Sequence, residues 1–322
     1  MRRSKGSYTS WQVVILALIA ALAMACDVEA EGEEGNFTFR YVQSEATTAS
    51  DIAVGATLTL EVIDAEANES VTVDEAYAEA PDVFEVGAPD GSRFSVQALQ
   101  AGTSRITAES GELSDSFELR AAEATALTLE SVCSSEQYFT DGRAMVRFRM
   151  EDDAQNRLTG YGYYPVAFEP EGGGEIDESY QRLDFLRFST GSDAGEYELT
   201  TELAGESLAF SLVDIADVDE LDTTFEEDTT VTTIDVDEVR TIAPFSLKVG
   251  DDEICGDPQD NLVITSQTPE ICEARYGREF ENVATLLDLH LVEVEGVDSG
   301  LCEISIEVPD AGLDAQFAVE VR

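Results

Sequence analysis

One stretch of this sequence occurs three times, and it constrains the fold more than any other feature. Each copy has a turn glycine, a run of alternating apolar and polar residues, a second turn that contains glycine, and another alternating run. The copies begin at Gly102, Gly195 and Gly300. Alternation with period two between turn residues predicts a β-hairpin. Because the hairpin recurs along the chain, we expect a series of small all-β domains.

The composition supports folded domains and narrows the range of partners. The chain has 322 residues, with 68 acidic and 18 basic side chains and a single histidine, and a formal net charge of −50. Hydrophobic residues make up 43% of the chain, which is enough to form packed cores. So large a negative charge disfavours nucleic acid and anionic lipid headgroups as partners.

The first 25 residues have the pattern of a secretory signal peptide. Arg2, Arg3 and Lys5 precede an apolar run at 13–24, which is shorter than the roughly 20 residues of a membrane span. Small residues then lead into Cys26, and this arrangement resembles the lipobox of bacterial lipoproteins. The resemblance implies cleavage before Cys26, acylation of that cysteine, and a membrane contact through lipid in the bacterial cell envelope. The alternative is an ordinary cleavable signal followed by an incidental cysteine.

The remaining chain divides into three predicted domains and two acidic connections. The domains span 37–122, 125–216 and 229–322, and the second is the most divergent. Residues 26–36 are rich in Glu and Gly and predict a flexible tether. Residues 217–228 form an acidic linker, which favours a solvated spacer. The alternative for this linker is a calcium-bound joint, although an EF-hand spacing is absent from it.

The first domain resembles the second group of bacterial immunoglobulin-like domains. Three stretches carry the resemblance: Val54-Gly55 with Leu60, residues 81–86, and residues 102–107. The resemblance implies an immunoglobulin-like β-sandwich with a surface or adhesion role. The third domain follows the first in order and spacing. Its residues 247–249, 269–274 and 292–294 align with 60–62, 81–86 and 94–96, once about ten inserted residues are allowed around 276–285.

Four cysteines remain after Cys26, and an even number in an exported chain favours disulfides. In the internal alignment Cys272 takes the place of Phe84, and Cys302 shares a strand face with Ile304 and Ile306. We therefore predict the pair Cys272–Cys302, which leaves Cys133 to pair with Cys255. Another of the three connectivities, with Cys255 joined to Cys272, stays open. A zinc site is disfavoured because the cysteines lack close pairing.

Candidate chemistry in the sequence is sparse. The aromatic group Tyr161, Tyr163, Tyr164 and Phe168 is a possible binding surface for sugars or peptides, and the simpler interpretation is an ordinary packed strand. His290 is expected to be structural or merely exposed. A nucleophile elbow, a zinc-protease helix and a phosphate loop are absent from the sequence.

The sequence therefore predicts a non-enzymatic, lipid-anchored envelope protein without cofactor or metal. Its domains would act as a stalk or as a binding or adhesion surface for a protein or glycan. The alternative is a carbohydrate- or peptide-binding module that uses the aromatic side chains of the second domain.

Overall fold

The computed structural model describes residues 29–42, 51–133, 135–180, 184–223, 233–258, 261–277 and 290–322, with the backbone alone for 241–244. The predicted signal peptide and Cys26 lie outside these residues. Within the described ranges the chain forms 27 β-strands, one short 3-10 helix and no α-helix. The predicted all-β class is confirmed. The chain divides into two compact units, Met1–Ala122 and Glu123–Arg322, and the finer domain boundaries remain a prediction.

The first unit holds one β-sandwich. Its strands are β1 (Glu29–Glu31), β2 (Phe37–Tyr41), β3 (Asp51–Ala53), β4 (Thr57–Asp64), β5 (Glu75–Ala78), β6 (Phe84–Val86), β7 (Arg93–Ala98), β8 (Gly102–Ser110) and β9 (Leu113–Ala122). One sheet has the order β1-β2-β4-β7-β6, and the facing strands have the order β3-β9-β8-β5. The rings of Phe39 and Phe117 meet between the two sheets, with centroids 4.7 Å apart.

Alternation in the sequence decides which side chains enter this core. Leu58, Leu60 and Val62 in β4 are each at most 1% exposed, and the residues between them are half-buried. Phe94 and Val96 in β7 are buried in the same way. Because side chains on a strand point to opposite faces in turn, the period of two fixes the inward set. The alternating apolar residues of both strands therefore face the core.

The predicted tether is wrong for residues 29–36. β1 pairs with β2 in an antiparallel register that sets Glu29 opposite Arg40. The following turn packs on Asp115, whose carboxylate accepts hydrogen bonds from the backbone N–H groups of Glu34, Asn36 and Phe37. These backbone hydrogen bonds order an acidic segment that has few apolar side chains, so composition alone did not reveal it.

The second unit holds the second and third sandwiches of the chain. The strands of the second sandwich are β10 (Ala126–Ser131), β11 (Gln137–Phe139), β12 (Arg143–Glu151), β13 (Arg157–Thr159), β14 (Val166–Glu169), β15 (Gly174–Ile176), β16 (Phe185–Thr190), β17 (Gly195–Thr201) and β18 (Leu208–Val213). One sheet contains β15-β16-β12-β13 with β10 beside β12, and the other has the order β11-β18-β17-β14. Phe188 lies between the sheets, with ring centroids 5.1 Å from Phe168 and 5.7 Å from Phe210.

The third sandwich follows a 3-10 helix at Ile215–Asp217. Its strands are β19 (Glu220–Asp222), β20 (Thr233–Ile234), β21 (Val239–Val249), β22 (Asp252–Glu253), β23 (Val263–Ser266), β24 (Cys272–Tyr276), β25 (His290–Gly296), β26 (Gly300–Val308) and β27 (Leu313–Val321). The sheets have the orders β19-β21-β25-β24, with β22 beside β21, and β20-β27-β26-β23. Most of the predicted insertion at 276–285 lies outside the described residues.

The described part of the acidic linker is a strand of the third sandwich, so the interpretation as a solvated spacer is wrong for residues 217–223. β19 pairs with β21 and sets Glu220 opposite Lys248. The ammonium group of Lys248 lies 3.2 Å from the Glu220 carboxylate and 2.7 Å from the Asp222 carboxylate. Val218 is buried beside this strand. A cation on the neighbouring strand and one buried apolar side chain thus hold the acidic segment in place.

The three sandwiches share one topological detail that the sequence did not predict. In each, a short strand runs parallel to the second strand of the repeated hairpin: β3 beside β9, β11 beside β18, and β20 beside β27. The first glycine of each hairpin also has nearly the same φ, at 158°, 157° and 156°. The repeat is therefore a repeat of structure as well as of sequence.

Candidate functional site

The predicted aromatic surface of the second sandwich is largely packed. Tyr161 is only 3% exposed, so it cannot serve as a stacking platform for a ligand. Tyr163 and Tyr164 are half-buried. The Tyr164 ring meets Phe148 edge-on with centroids 5.6 Å apart, and its hydroxyl donates to the Tyr180 carbonyl at 3.4 Å. Burial raises the pKa of Tyr164, so its hydroxyl stays protonated and keeps donating.

A small hollow lies beside these tyrosines. It is lined by Phe148, Leu158, Gly160, Tyr161, Tyr164, Asp184 and Phe185. It has space for about one water molecule. A sugar ring would need a much larger opening, so a glycan would have to bind on the exposed faces of Tyr163 and Tyr164 outside the hollow.

Phe168 belongs to the core of the second sandwich. Its ring packs against Phe188 and Phe210, and Tyr197 stacks on Phe210 with centroids 5.9 Å apart. These four rings come from four different strands and fill the space between the sheets. Phe168 is therefore a core residue and not part of the aromatic binding surface considered for sugars or peptides.

The four cysteines of the described chain form two disulfides. Cys272 in β24 is joined to Cys302 in β26, with Cα atoms 5.7 Å apart, and this bond ties the two sheets of the third sandwich. Cys133 is joined to Cys255, with Cα atoms 5.9 Å apart, and this bond ties the second sandwich to the third. The first pair is the one that the internal alignment favours, and the second is the pair that this choice leaves. In the first sandwich the positions of the sheet-joining bond are taken by Phe84 and Ser104.

The second disulfide lies at a joint between the second and third sandwiches. Residues 252–258 of the third sandwich run beside the second. The N–H of Cys255 donates to the Gln137 carbonyl at 2.9 Å. Arg143 and Asp257 exchange two backbone hydrogen bonds, at 3.1 and 2.9 Å. These bonds extend the hydrogen-bonding pattern of one sandwich into the other.

Apolar side chains complete this joint. Phe139, at the end of β11 in the second sandwich, is 1% exposed and belongs to the same buried cluster as Phe245, Leu247 and Ile254 of the third. Ile215 and Val218, in the short connection between the sandwiches, belong to the cluster as well. The core of the third sandwich therefore extends across the joint to Phe139 of the second, and burial of these side chains in this shared core stabilises the relative position of the two sandwiches.

His290 is fully buried at this joint, which agrees with the expected structural role. Its Nε2 lies 3.3 Å from the Ile254 carbonyl oxygen, and its Nδ1 lies 2.9 Å from the Tyr276 hydroxyl. A carbonyl only accepts, so Nε2 carries the proton and donates, while Nδ1 accepts from Tyr276. Burial lowers the pKa of His290 to about 4, although the Ile254 carbonyl opposes the shift. The imidazole is therefore neutral at neutral pH.

Sequence reasoning missed this joint. Its residues come from separate segments of the chain, and the signal was weak, because Phe139 and Ile254 are single apolar residues without a distinctive pattern. His290 opposes its two leucine neighbours but shares parity with Val292 and Val294, so alternation left its face ambiguous. The predicted bond between Cys133 and Cys255 was the one sign that these segments meet.

Among the described residues we looked for groups that could bind a metal ion and for helices that could cross a membrane. In the ranges that the structure covers, there is no group of three or more His, Cys, Asp or Glu side chains that could bind a metal ion. Two carboxylates of the acidic linker, Glu220 and Asp222, are paired with Lys248, and Asp219 accepts from the Gly250 N–H. A helix of sufficient length and hydrophobicity to cross a membrane is also missing from this part of the chain.

Comparison with known proteins finds neither a matching family model nor a matching curated protein. Solved structures do align. Domains 4–9 of the surface layer protein SbsC align over 91% of this chain and 44% of that one, at 14% identity and a TM-score of 0.27. The Escherichia coli adhesin FdeC aligns over 85% of this chain and 95% of that one, at 12% identity and a TM-score of 0.23.

Invasin, a bacterial integrin-binding protein, aligns over 92% of this chain and 60% of that one, at 12% identity and a TM-score of 0.25. The chain spans less than half of the SbsC fragment described above. At such identities and TM-scores these alignments carry no inference about ligand or activity. The chain is, on its own geometry, an all-β protein of tandem sandwiches, and the solved structures that it resembles include bacterial surface-layer and adhesin domains.

Proposed function

We propose that this chain is a non-enzymatic protein of the bacterial cell envelope, anchored by lipid at Cys26, whose sandwiches space or present a binding surface. The observation that carries the proposal is the state of the cysteines. All four within the described residues are joined in disulfides, and such bonds persist in oxidising compartments outside the cytosol. The lipobox-like segment before Cys26 supplies the anchor in this proposal.

The anchor would hold the first sandwich close to the bilayer. β1 begins at Glu29, three residues after Cys26. An extended chain spans at most about 3.5 Å per residue, so Glu29 lies within about 10 Å of the Cα of the acylated residue. Under this proposal the first sandwich is a membrane-proximal domain, because residues 29–31 of the predicted tether are a strand of its sheet.

Membrane partition of the full chain in a bacterial host tests the anchor. We expect wild-type protein to remain with membranes through salt and carbonate washes, and its N-terminal peptide to begin at a diacylated Cys26. The variant Cys26→Ser is expected to appear in the soluble fraction, since several acyl chains anchor a protein firmly and none would remain. Equal partition of the two proteins, or an unmodified Cys26 peptide, would contradict the proposal.

Binding of glycans or peptides through the second sandwich is the alternative, and the half-exposed rings of Tyr163 and Tyr164 favour it. A glycan array probed with the full chain tests this role. The double variant Tyr163→Ala, Tyr164→Ala should lose any specific signal if these rings stack on a sugar. The matched control is Tyr77→Ala, which removes an exposed tyrosine, 40% exposed, from the first sandwich. A signal that survives the double variant would place binding elsewhere.

A further inference from the structure

His290 contacts both sides of the joint between the second and third sandwiches. Its ring lies 5.9 Å from Phe139 of the second sandwich and 5.2 Å from Phe245 of the third, measured between ring centroids. Its Nε2 donates to the carbonyl of Ile254, the residue before the cysteine that is bonded to Cys133. The only histidine of the chain thus lies inside the surface that fixes one sandwich against the other.

The groups around this imidazole are suited to its neutral form. From β24 comes the Tyr276 hydroxyl, which donates to Nδ1 and so occupies the lone pair that a second ring proton would take. From residues 252–258 comes the Ile254 carbonyl, and β11 and β21 contribute the uncharged rings of Phe139 and Phe245.

Two carboxylates of the described residues near the joint have partners other than the imidazole. On the histidine's own strand, Glu293 pairs with Arg275. At the rim, the Asp252 carboxylate accepts from the Gln137 side chain at 3.3 Å. Among the described residues, neither a carboxylate nor a cation contributes to the His290 pKa shift, which arises from burial and is opposed by the Ile254 carbonyl. A proton added to Nδ1 would therefore be a buried charge for which the described residues supply no counter-ion.

We propose that the joint is an acid-responsive hinge in which protonation of His290 loosens the contact between the second and third sandwiches. At neutral pH the shared core and the backbone hydrogen bonds hold the two sandwiches as one rigid pair. In acid the charged imidazole must reach water, so the ring leaves the cluster and the contact with Phe139 opens. The bond between Cys133 and Cys255 keeps the sandwiches tied while their relative angle becomes variable.

Hydrogen exchange of the full chain tests the hinge at the amides that cross the joint. These are the N–H groups of Cys255, Asp257 and Arg143. With a pKa of about 4 when the joint is closed and 6.5 when it is open, opening should become about twentyfold more favourable between pH 7 and pH 5. We expect protection of these amides to fall by that factor after correction for the intrinsic exchange rate.

Two variants distinguish the effect of protonating His290 from the effect of protonating the many carboxylates of the chain. His290→Gln retains a side-chain donor but does not titrate, so the loss of protection between pH 7 and pH 5 should vanish. Tyr276→Phe removes the donor to Nδ1 and frees that nitrogen for a proton, so loosening should begin at a higher pH than in wild type. Asp252→Asn is the control for the rim carboxylate and should leave the histidine-dependent fall in place.

Three results would overturn the proposal. The first is equal protection of the crossing amides at pH 7 and pH 5. The second is an acid-induced fall of the same size in His290→Gln, or, if that variant does not fold, an onset in Tyr276→Phe that is not raised. The third is a parallel fall at the amides of the hairpin formed by β26 and β27, because this would indicate unfolding of the whole third sandwich.

Discussion

At the scale of single residues, Asp115 shows how a charged side chain can organise a segment that lacks apolar residues. It is 1% exposed, and its carboxylate accepts four backbone hydrogen bonds. Burial raises the pKa of Asp115. The hydrogen bonds from the Glu34 side chain and from the backbone lower this pKa by more than burial raises it, so the net shift is downward. The same contact raises the pKa of Glu34. Gly32 packs so closely on this carboxyl group that a Cβ there would overlap it.

Replacing Asp115 should therefore release the N-terminal segment. We expect Asp115→Asn to lower the free energy of unfolding of the first sandwich by about 2–3 kcal/mol, because an amide offers one acceptor oxygen where backbone N–H groups converge on two. Because the native pKa is depressed, the stabilisation in wild type is present above about pH 4 and is lost as the pH falls through the native pKa. Hydrogen exchange of the Phe37 and Ser116 amides, measured against pH, checks both statements.

The control for this substitution is Asp82→Asn, which alters an exposed carboxylate whose partner is the Gln100 side chain. It should change stability by less than about 0.5 kcal/mol. Equal effects of the two substitutions would show that the hydrogen bonds of Asp115 do not hold the segment.

At the scale of elements, the hairpins of the first and third sandwiches depend on the close approach of their first glycine to a preceding turn. A Cβ at Gly102 would lie 2.9 Å from Val83, and a Cβ at Gly300 would lie 2.8 Å from Ile271. The backbones of these turns match as well. The carbonyl of Val83 accepts from the Leu99 N–H, and that of Ile271 accepts from the Val297 N–H, both at 2.8 Å. The alignment of 81–86 with 269–274 is thus an alignment of real contacts.

Substitution of either glycine should have the same effect in the first and third sandwiches. We expect Gly102→Ala and Gly300→Ala each to lower the free energy of unfolding by about 1–3 kcal/mol, since the added methyl group overpacks the turn. Chemical denaturation of each variant measures the effect. In a double-mutant cycle, Val83→Ala should make Gly102→Ala less damaging. Additive effects in that cycle would contradict the steric explanation.

At the scale of the whole molecule, the two disulfides have different structural roles. The bond between Cys272 and Cys302 closes 30 residues within the third sandwich, where the first sandwich relies on Phe84. The bond between Cys133 and Cys255 spans 122 residues and lies beside the shared core of the second unit. One bond therefore stabilises a single sandwich, and the other maintains the contact between two.

Removal of the bond within the third sandwich should lower its stability. We expect the double variant Cys272→Ser, Cys302→Ser to lose about 3 to 4 kcal/mol in the chain-entropy model, as measured by chemical denaturation. The first sandwich in the same sample should keep its wild-type transition. Peptide mapping of wild type without reduction should recover Cys272 with Cys302. Recovery of Cys255 joined to Cys272 would refute the connectivity and this prediction together.

The sequence was sufficient to predict the hairpins and the pair Cys272–Cys302, because these follow from local alternation and from comparison of one repeat with another. The pair Cys133–Cys255 then followed by elimination. Only the tertiary structure revealed β1, β19 and the short parallel strands, since two or three residues carry too little pattern. The partners of the parallel strands, and the Asp115 carboxylate that holds the turn after β1, lie far along the chain. It also decided the environment of His290. An imidazole on a strand of ambiguous parity becomes a buried, neutral group only when Phe139 of another sandwich covers it.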